Sequence, residues 1–463
     1  MNWFGWLLAA LLLAGPAAPA LAQSSGGMQF FVVRDAETES LLRNFANPLF
    51  RAAGVDPNLV RIILLQDDAI NSFVSTGNRM FINTGLIIKA GSASELVGVI
   101  AHETGHIRGG HLARLPEAMQ AAMLESLAAT LVGAAAAIGS SGSRGRGPYA
   151  DSSGADAAIG AVVGGQQMAL RNFLSFNRVI EASADQGAME FLDRLHWSAQ
   201  GMVDMFHRLE DDTLLPSSLQ DPYLQTHPLT KTRIANVSAH LAKSPYANAP
   251  LPAGFERGFG MVQAKLIGFL RPSSATLARV KPDDRAPTAR YMRAIALYRV
   301  GQSVPALALI DGLIAEQPGS PWLYELKGQI LFEAGRGREA LAPYREAIRL
   351  APEQPLIRAA LARAMIESGD PLLLKPAINE LQSALAREGD DQDSWHALSV
   401  AWGRMGNIGE ANLALAEETL LNGDIKMANL WAAKAVKLLP AGPSRMRATD
   451  ISNAVKRENR KGF

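Results

Sequence analysis

Ala101 to His111, AHETGHIRGGH, places two histidines four residues apart with a glutamate directly after the first. The residues before it, AGSASELVGVI, set Ser92 and Glu95 at the Ser-x-x-Glu spacing of a capping box, and Leu96, Val99, Ile100 and Ile107 recur at helical intervals. The stretch therefore reads as a buried helix. His102 and His106 lie one turn apart on the same face, where both imidazoles can reach one ion at about 2.0–2.1 Å. Glu103 points to the side, where it can contact a water at the metal without being a ligand, as a general base must. A pair of satisfied core histidines with a capping glutamate is the plain alternative.

A catalytic metal site needs a third protein ligand and an open fourth position. The chain has no cysteine, so the donors must be histidines and carboxylates. NRVIEASADQGAMEFL supplies them: Val179, Ile180, Ala184, Met189 and Phe191 mark a second largely buried helix, which bears Glu181 and Asp185 four apart. Glu181 can complete the metal triad while Asp185 orients a ligand histidine from behind. Upstream, Arg61 to Leu65 is a compact apolar run, and Phe73-Val74 and Arg79 to Ile82 flank a Gly77-Asn78 turn, as in a hairpin.

With 463 residues the chain exceeds one ordinary core, so two or more domains are expected. Its 45 basic and 44 acidic side chains leave a net charge of +1, which gives no electrostatic reason for a nucleic-acid partner. The first residues run apolar from Trp3 to Ala14 and reach Ala20-Leu21-Ala22. That is the pattern of a signal peptide cleaved after Ala22 rather than a membrane span of about 20 residues. A cysteine-free exported chain suits the periplasm.

His102-Glu103-Thr104-Gly105-His106 followed by Glu181-Ala-Ser-Ala-Asp185 resembles the M48 family of zinc metallopeptidases. The resemblance extends to an NTGL segment, Asn83 to Leu86, before the first helix. It also takes in Thr226-His227-Pro228 with a later Arg233, and runs from about Gln29 to His240. It implies that His102, His106 and Glu181 bind one Zn2+ per chain, that Glu103 is the base and Asp185 a supporting residue, and that Arg79 to Asn83 is an edge strand holding substrate backbone. His227 has three open roles: a latch that occupies the fourth zinc position, a donor to the oxyanion, or a cap for the helix beginning near Thr230. The latch is the favoured reading.

Between the two ligand helices, residues 120–170 read as a hairpin of small-residue helices around a Gly/Ser/Arg-rich tip, a lid or a membrane-surface probe. Past Pro245 a Pro/Gly-rich boundary leads to an apolar helix at Met261 to Leu270. Gly301, Gly335 and Gly369 then recur 34 apart (335−301 and 369−335), the period of tetratricopeptide repeats. The expected plan is α+β, mostly α: signal peptide 1–22, a zincin-like peptidase domain with a small sheet at 23–245, a linker and connecting helix at 246–285, an α-solenoid of repeats at 286–442, and a solvated basic tail at 443–463. Exported M48-type peptidases with such repeats imply unfolded or misassembled outer-membrane proteins as substrates, docking to the outer-membrane assembly machinery through the repeats, and peripheral membrane contact as an option. The competing reading is a chaperone or adaptor for outer-membrane protein assembly whose metal site is latent.

Overall fold

The computed structural model describes residues 31–111, 124, 175–210, 223–224 and 227–461, with side chains to 454. The stretches expected to be a signal peptide and, apart from Leu124, a hairpin at 120–170 lie outside the described residues, as does Thr226.

The sheet has four strands, β1 (Val32–Val33), β2 (Arg61–Leu65), β3 (Ser72–Ser75) and β4 (Arg79–Asn83), in the order β1-β2-β4-β3. β3 and β4 form the expected hairpin, pairing antiparallel with Ser75 opposite Arg79. Gly77 (φ 77°) and Asn78 (φ 54°) both turn left-handed within the three-residue loop, residues 76–78, that joins the paired Ser75 and Arg79. β2 takes the other side of β4 in parallel, with Arg61 opposite Arg79. The expectation that Arg79 to Asn83 is an edge strand is thereby corrected. Pairing on both sides uses its backbone groups, and the open edge beside the hairpin is β3, which packs against the helix that carries His102 and His106.

α1 (Ala36–Ala52), α2 (Thr84–Lys89) and α3 (Ala93–Gly109) cover the sheet. α3 begins where Ser92 accepts the Glu95 N–H and ends at Gly110 in the left-handed conformation (φ 61°). The Glu95 carboxylate accepts from the Gly91 N–H and from Arg208 rather than closing the box on Ser92, so it ties the start of α3 to a neighbouring helix. That neighbour, α5 (Gln200–Glu210), follows α4 (residues 175–194). Phe45, Phe50, Met80, Ile82, Leu96 and Ile100 fill the core between these elements. Glycines set how close the helices come. A Cβ at Gly105 would stand 2.5 Å from the Ala184 carbonyl oxygen on α4, and one at Gly201 would stand 2.0 Å from that of Ser94 on α3.

After α6 (Lys231–Leu241), the connecting helix α7 (Phe255–Leu270) belongs to two cores: Phe259, Val262 and Leu266 join the one around the sheet, while Met261 and Ala264 join that of the C-terminal helices. α8 (Ser273–Arg279) leads to four helix pairs. They are α9 (Pro287–Arg299) with α10 (Ser303–Glu316), α11 (Pro321–Glu333) with α12 (Gly337–Leu350), α13 (Pro355–Glu367) with α14 (Leu374–Leu385), and α15 (Gln392–Arg404) with α16 (Ile408–Leu421). Gly301, Gly335, Gly369 and Gly406 turn each pair at φ between 72° and 79°, a conformation glycine adopts without a steric penalty. α17 (Ile425–Leu438) and α18 (Pro443–Lys461) complete the array. The stretch expected as a solvated basic tail is thus a docked helix. Ala448 and Ile451, three apart, are buried on a small core with α17, and Arg447 pairs with Glu417.

The start of α1 and the sheet sit against the C-terminal helices. Lys265 on α7 is buried among Asp35, Glu37 and Glu325, and the Tyr291 hydroxyl donates to Glu37 (2.8 Å). Arg34 pairs with Glu388 and Arg61 with Asp390 across the same boundary. Among the described residues no helix is long and apolar enough to cross a membrane.

Candidate metal centre

α3 carries His102, Glu103 and His106 into the interior, α4 crosses it at the Gly105 notch bringing Glu181 and Asp185, and the turn before α6 brings His227; all six are buried. His102, His106, Glu181 and His227 each offer a ligand atom, and these atoms lie within 4.8 Å of one another. His102 Nε2 is 3.1 Å from His106 Nε2 and 3.4 Å from Glu181 Oε2, and His106 Nε2 is 3.4 Å from Glu181 Oε1. His227 Nδ1 lies 3.1 Å from Glu181 Oε1 and 3.3 Å from His102 Nε2.

Behind these atoms is a bracing layer. Asp185 accepts from His102 Nδ1 (2.9 Å), which leaves His102 Nε2 free to act as a lone-pair donor. Arg233 holds Asp185 with two hydrogen bonds (2.7 and 2.9 Å) and pairs with Glu181 at 2.9 Å. One guanidinium therefore pairs with both Glu181 and Asp185 and offsets half of their combined charge. It lies 5.1 Å over the Phe206 ring of α5, within cation–π range.

The electrostatics follow from burial and these partners. Burial alone would lower His102, but its bonds to Asp185 and Glu181 and their charges outweigh it and lift the imidazole to about 9. His106, with burial and two neighbouring imidazoles against it, is depressed to about 3. Burial opposes ionisation of Glu181, yet hydrogen bonds from His102, His106 and His227 hold it far below the usual carboxylate range. Glu103 moves the other way: burial raises its carboxyl, with His227 and His102 pulling it only partly back.

Glu103 is the residue these contacts leave over. Both its oxygens are buried with no hydrogen-bond partner among the described residues, as is His227 Nε2, which stands 3.5 Å from Glu103 Oε1. A buried carboxylate without a donor is costly, so such a group points to something that binds there. Three imidazoles and a carboxylate converging on one buried space fit a divalent cation with nitrogen and oxygen ligands. Glu103 beside it fits a base for a water at that ion.

Every residue singled out in the sequence for this site is brought to it. The helix-capping role for His227 is excluded, since Thr230 caps α6 by accepting the Arg233 N–H. Three neighbours were not foreseen. Arg233 was seen only as part of a motif; Tyr223, whose ring lies 4.8 Å from that of His227, carried no sequence signal. His111, 3.2 Å from His106, was already visible as the last residue of the opening stretch.

A His-Glu-x-x-His helix crossed by a carboxylate-bearing helix over a small sheet defines a metallopeptidase. Residues 34–241 match the family model described as Peptidase family M48, and residues 331–401 match one described as Tetratricopeptide repeat. This chain carries an M48 peptidase domain followed by tetratricopeptide repeats. It is 25% identical over 427 residues to proteins named β-barrel assembly-enhancing protease from Yersinia pestis and from Escherichia coli K12, covering 90% of this chain and 82% of each relative. A Vibrio cholerae protein named putative β-barrel assembly-enhancing protease is 24% identical over 422 residues, covering 89% and 82%. Among solved structures, MamA 41-end from Desulfovibrio magneticus RS-1 aligns with a TM-score of 0.29 and 14% identity, over 38% of this chain and 96% of that one. YrrB, described as a TPR protein with an unusual peptide-binding site, aligns with a TM-score of 0.32 and 17% identity, over 38% and 91%.

Proposed function

We propose that this chain is a periplasmic zinc endopeptidase that cuts misfolded or misassembled outer-membrane proteins, exported by a signal peptide cleaved after Ala22. The observation that carries the reading is the convergence of His102, His106, Glu181 and His227 within 4.8 Å beside the unpartnered carboxylate of Glu103. His102, His106 and Glu181 are the ligands of one zinc, and Asp185 with Arg233 keeps His102 and Glu181 in their orientations. When bound, the ion would polarise the scissile carbonyl and make a water nucleophilic near neutral pH. Glu103 takes the proton of that water and delivers it to the leaving amine; its raised affinity for protons suits both steps. Substrate lies extended along the open edge of β3, which packs on α3, rather than along β4.

His227 acts as a latch in the resting site. Its position beside Glu181 and His102 supports this reading, because an imidazole there takes up the space an attacking water needs. The repeats dock the enzyme to substrate or to the outer-membrane assembly machinery, in keeping with the names of its relatives. An adaptor with a latent metal site would have no use for a buried, unpaired glutamate at Glu103. The test is Glu103→Gln, which should keep the fold and one zinc by metal analysis and lose cleavage of an unfolded β-barrel. Retained cleavage in that variant would remove the mechanism.

A further inference from the structure

His111 lies just past the end of α3 and is buried, with its Nδ1 3.2 Å from Nδ1 of His106. The helix ends so as to allow this. Gly110 turns left-handed at φ 61°, bringing His111 back over the last turn. A Cβ at Gly109 would stand 2.2 Å from His111 Nε2, so only glycine leaves room for the folded-back ring. The two imidazoles meet edge to face, with ring centroids 5.0 Å apart and planes at 85°. One ring can then aim an N–H at the other's in-plane lone pair.

The ends of His106 face different partners. Nε2 points to His102 and Glu181, whereas Nδ1 points to His111. For Nε2 to offer a lone pair to an ion, the proton must sit on Nδ1 and be donated outward. Asp185 accepts that hydrogen bond from His102, whereas among the described residues His106 Nδ1 faces His111 rather than a carboxylate.

We infer that His111 is the positioning residue for His106, accepting its Nδ1–H and so fixing the tautomer and ring direction in which Nε2 serves as a ligand. The inference rests on His106 being a metal ligand. It makes the two histidines of the motif unequal: His102 is braced by an anion that is itself paired to Arg233, and His106 by a neutral ring. Gly109 and Gly110 are then part of the metal site, since they make the space His111 fills.

The test measures zinc affinity of the full chain by competition with a chromophoric chelator, together with unfolding of the metal-free protein. His111→Ala should weaken zinc binding by roughly 10–100-fold, the usual cost of losing an orienting partner. His111→Asn, whose Oδ1 can stand where Nδ1 accepts, should recover most of that loss, and His111→Gln, with its polar end one bond further out, should not. Gly109→Ala should reproduce the alanine defect with His111 still in place. If His111→Ala binds zinc like wild type while His106→Ala does not bind, this inference is wrong and the ligand set stands. If His106→Ala also binds normally, the ligand assignment itself has failed. A deficit in His111→Ala that Asn does not relieve makes the residue a packing element and overturns the positioning role.

Discussion

Gly105→Ala should damage the metal site more than the fold. Gly105 sits between Thr104 and His106, where α3 crosses α4, and the added methyl would fall 2.5 Å from the Ala184 oxygen and 2.9 Å from its Cα. Ordinary contact begins at 3.4 Å, so the helices must separate by about 0.9 Å (3.4 − 2.5). Neither obstacle is a movable side-chain end. Overpacking of this kind costs about 1–3 kcal/mol, and replacing a mid-helix glycine by alanine returns about 1 kcal/mol. The net loss of stability should therefore be about 1 kcal/mol. The site sees the full displacement, because Ala184 precedes Asp185 and lies three residues after Glu181, and the gap opens between those carboxylates and His102. A misplacement of about 1 Å in a catalytic constellation costs on the order of 100-fold in rate. Urea unfolding, chelator competition for zinc and cleavage of unfolded protein, run on one preparation, separate the two effects. Gly301→Ala is the control: its strain at φ 78° costs about 1 kcal/mol far from the site, with nothing within 4 Å to clash. Wild-type zinc affinity and activity in Gly105→Ala would refute the close crossing as the device that assembles the ligands.

Glu181→Gln replaces an anionic donor with a neutral one and leaves Arg233 with a single carboxylate partner, so zinc should be lost at low free metal; stoichiometric zinc there would show Glu181 misassigned. His227→Ala should raise basal cleavage of unfolded substrate on the order of tenfold, the effect of removing about 1.4 kcal/mol of competing contact, with zinc content unchanged. A slower variant with full zinc would support the oxyanion role instead. Burial lifts the Glu37 carboxyl to about 7 against the pull of Lys265, with Asp35 and Glu325 opposing ionisation and the Tyr291 hydroxyl favouring it. A carboxyl more basic in the folded state favours folding while protonated. Its contribution is complete below about 4.5 and is lost as pH rises to about 7. Relative to Glu37→Gln, which stays neutral, wild type should lose up to about 3 kcal/mol between those pH values; parallel profiles of urea midpoint against pH would rule this out.

Local order was plain in the sequence wherever a short-range interaction decides it. Ser92 caps α3 because its side chain reaches an N–H three residues on, and His102 and His106 share a face because the helix repeats every 3.6 residues. Gly77-Asn78 makes the hairpin turn, and the glycines 34 apart turn the repeats, because positive φ is cheap for those residues. Pairing between distant elements had no such signature. Alternation along Arg79 to Asn83 tells which side chains face the core, but its backbone is equally able to sit at an edge or in the middle; the parallel approach of β2 decided that. The separate repeat period suggested separable modules, yet α7 packs into both cores and Lys265 draws carboxylates from each side of the boundary. His102 meets His227 from 125 positions away, and Arg233 reaches back 48 to brace Asp185. The residue types and local spacing determined which groups could bind a metal and do chemistry. Only the crossing of α3 and α4 at a glycine, and the turn before α6 folding onto it, decided that they share one buried space.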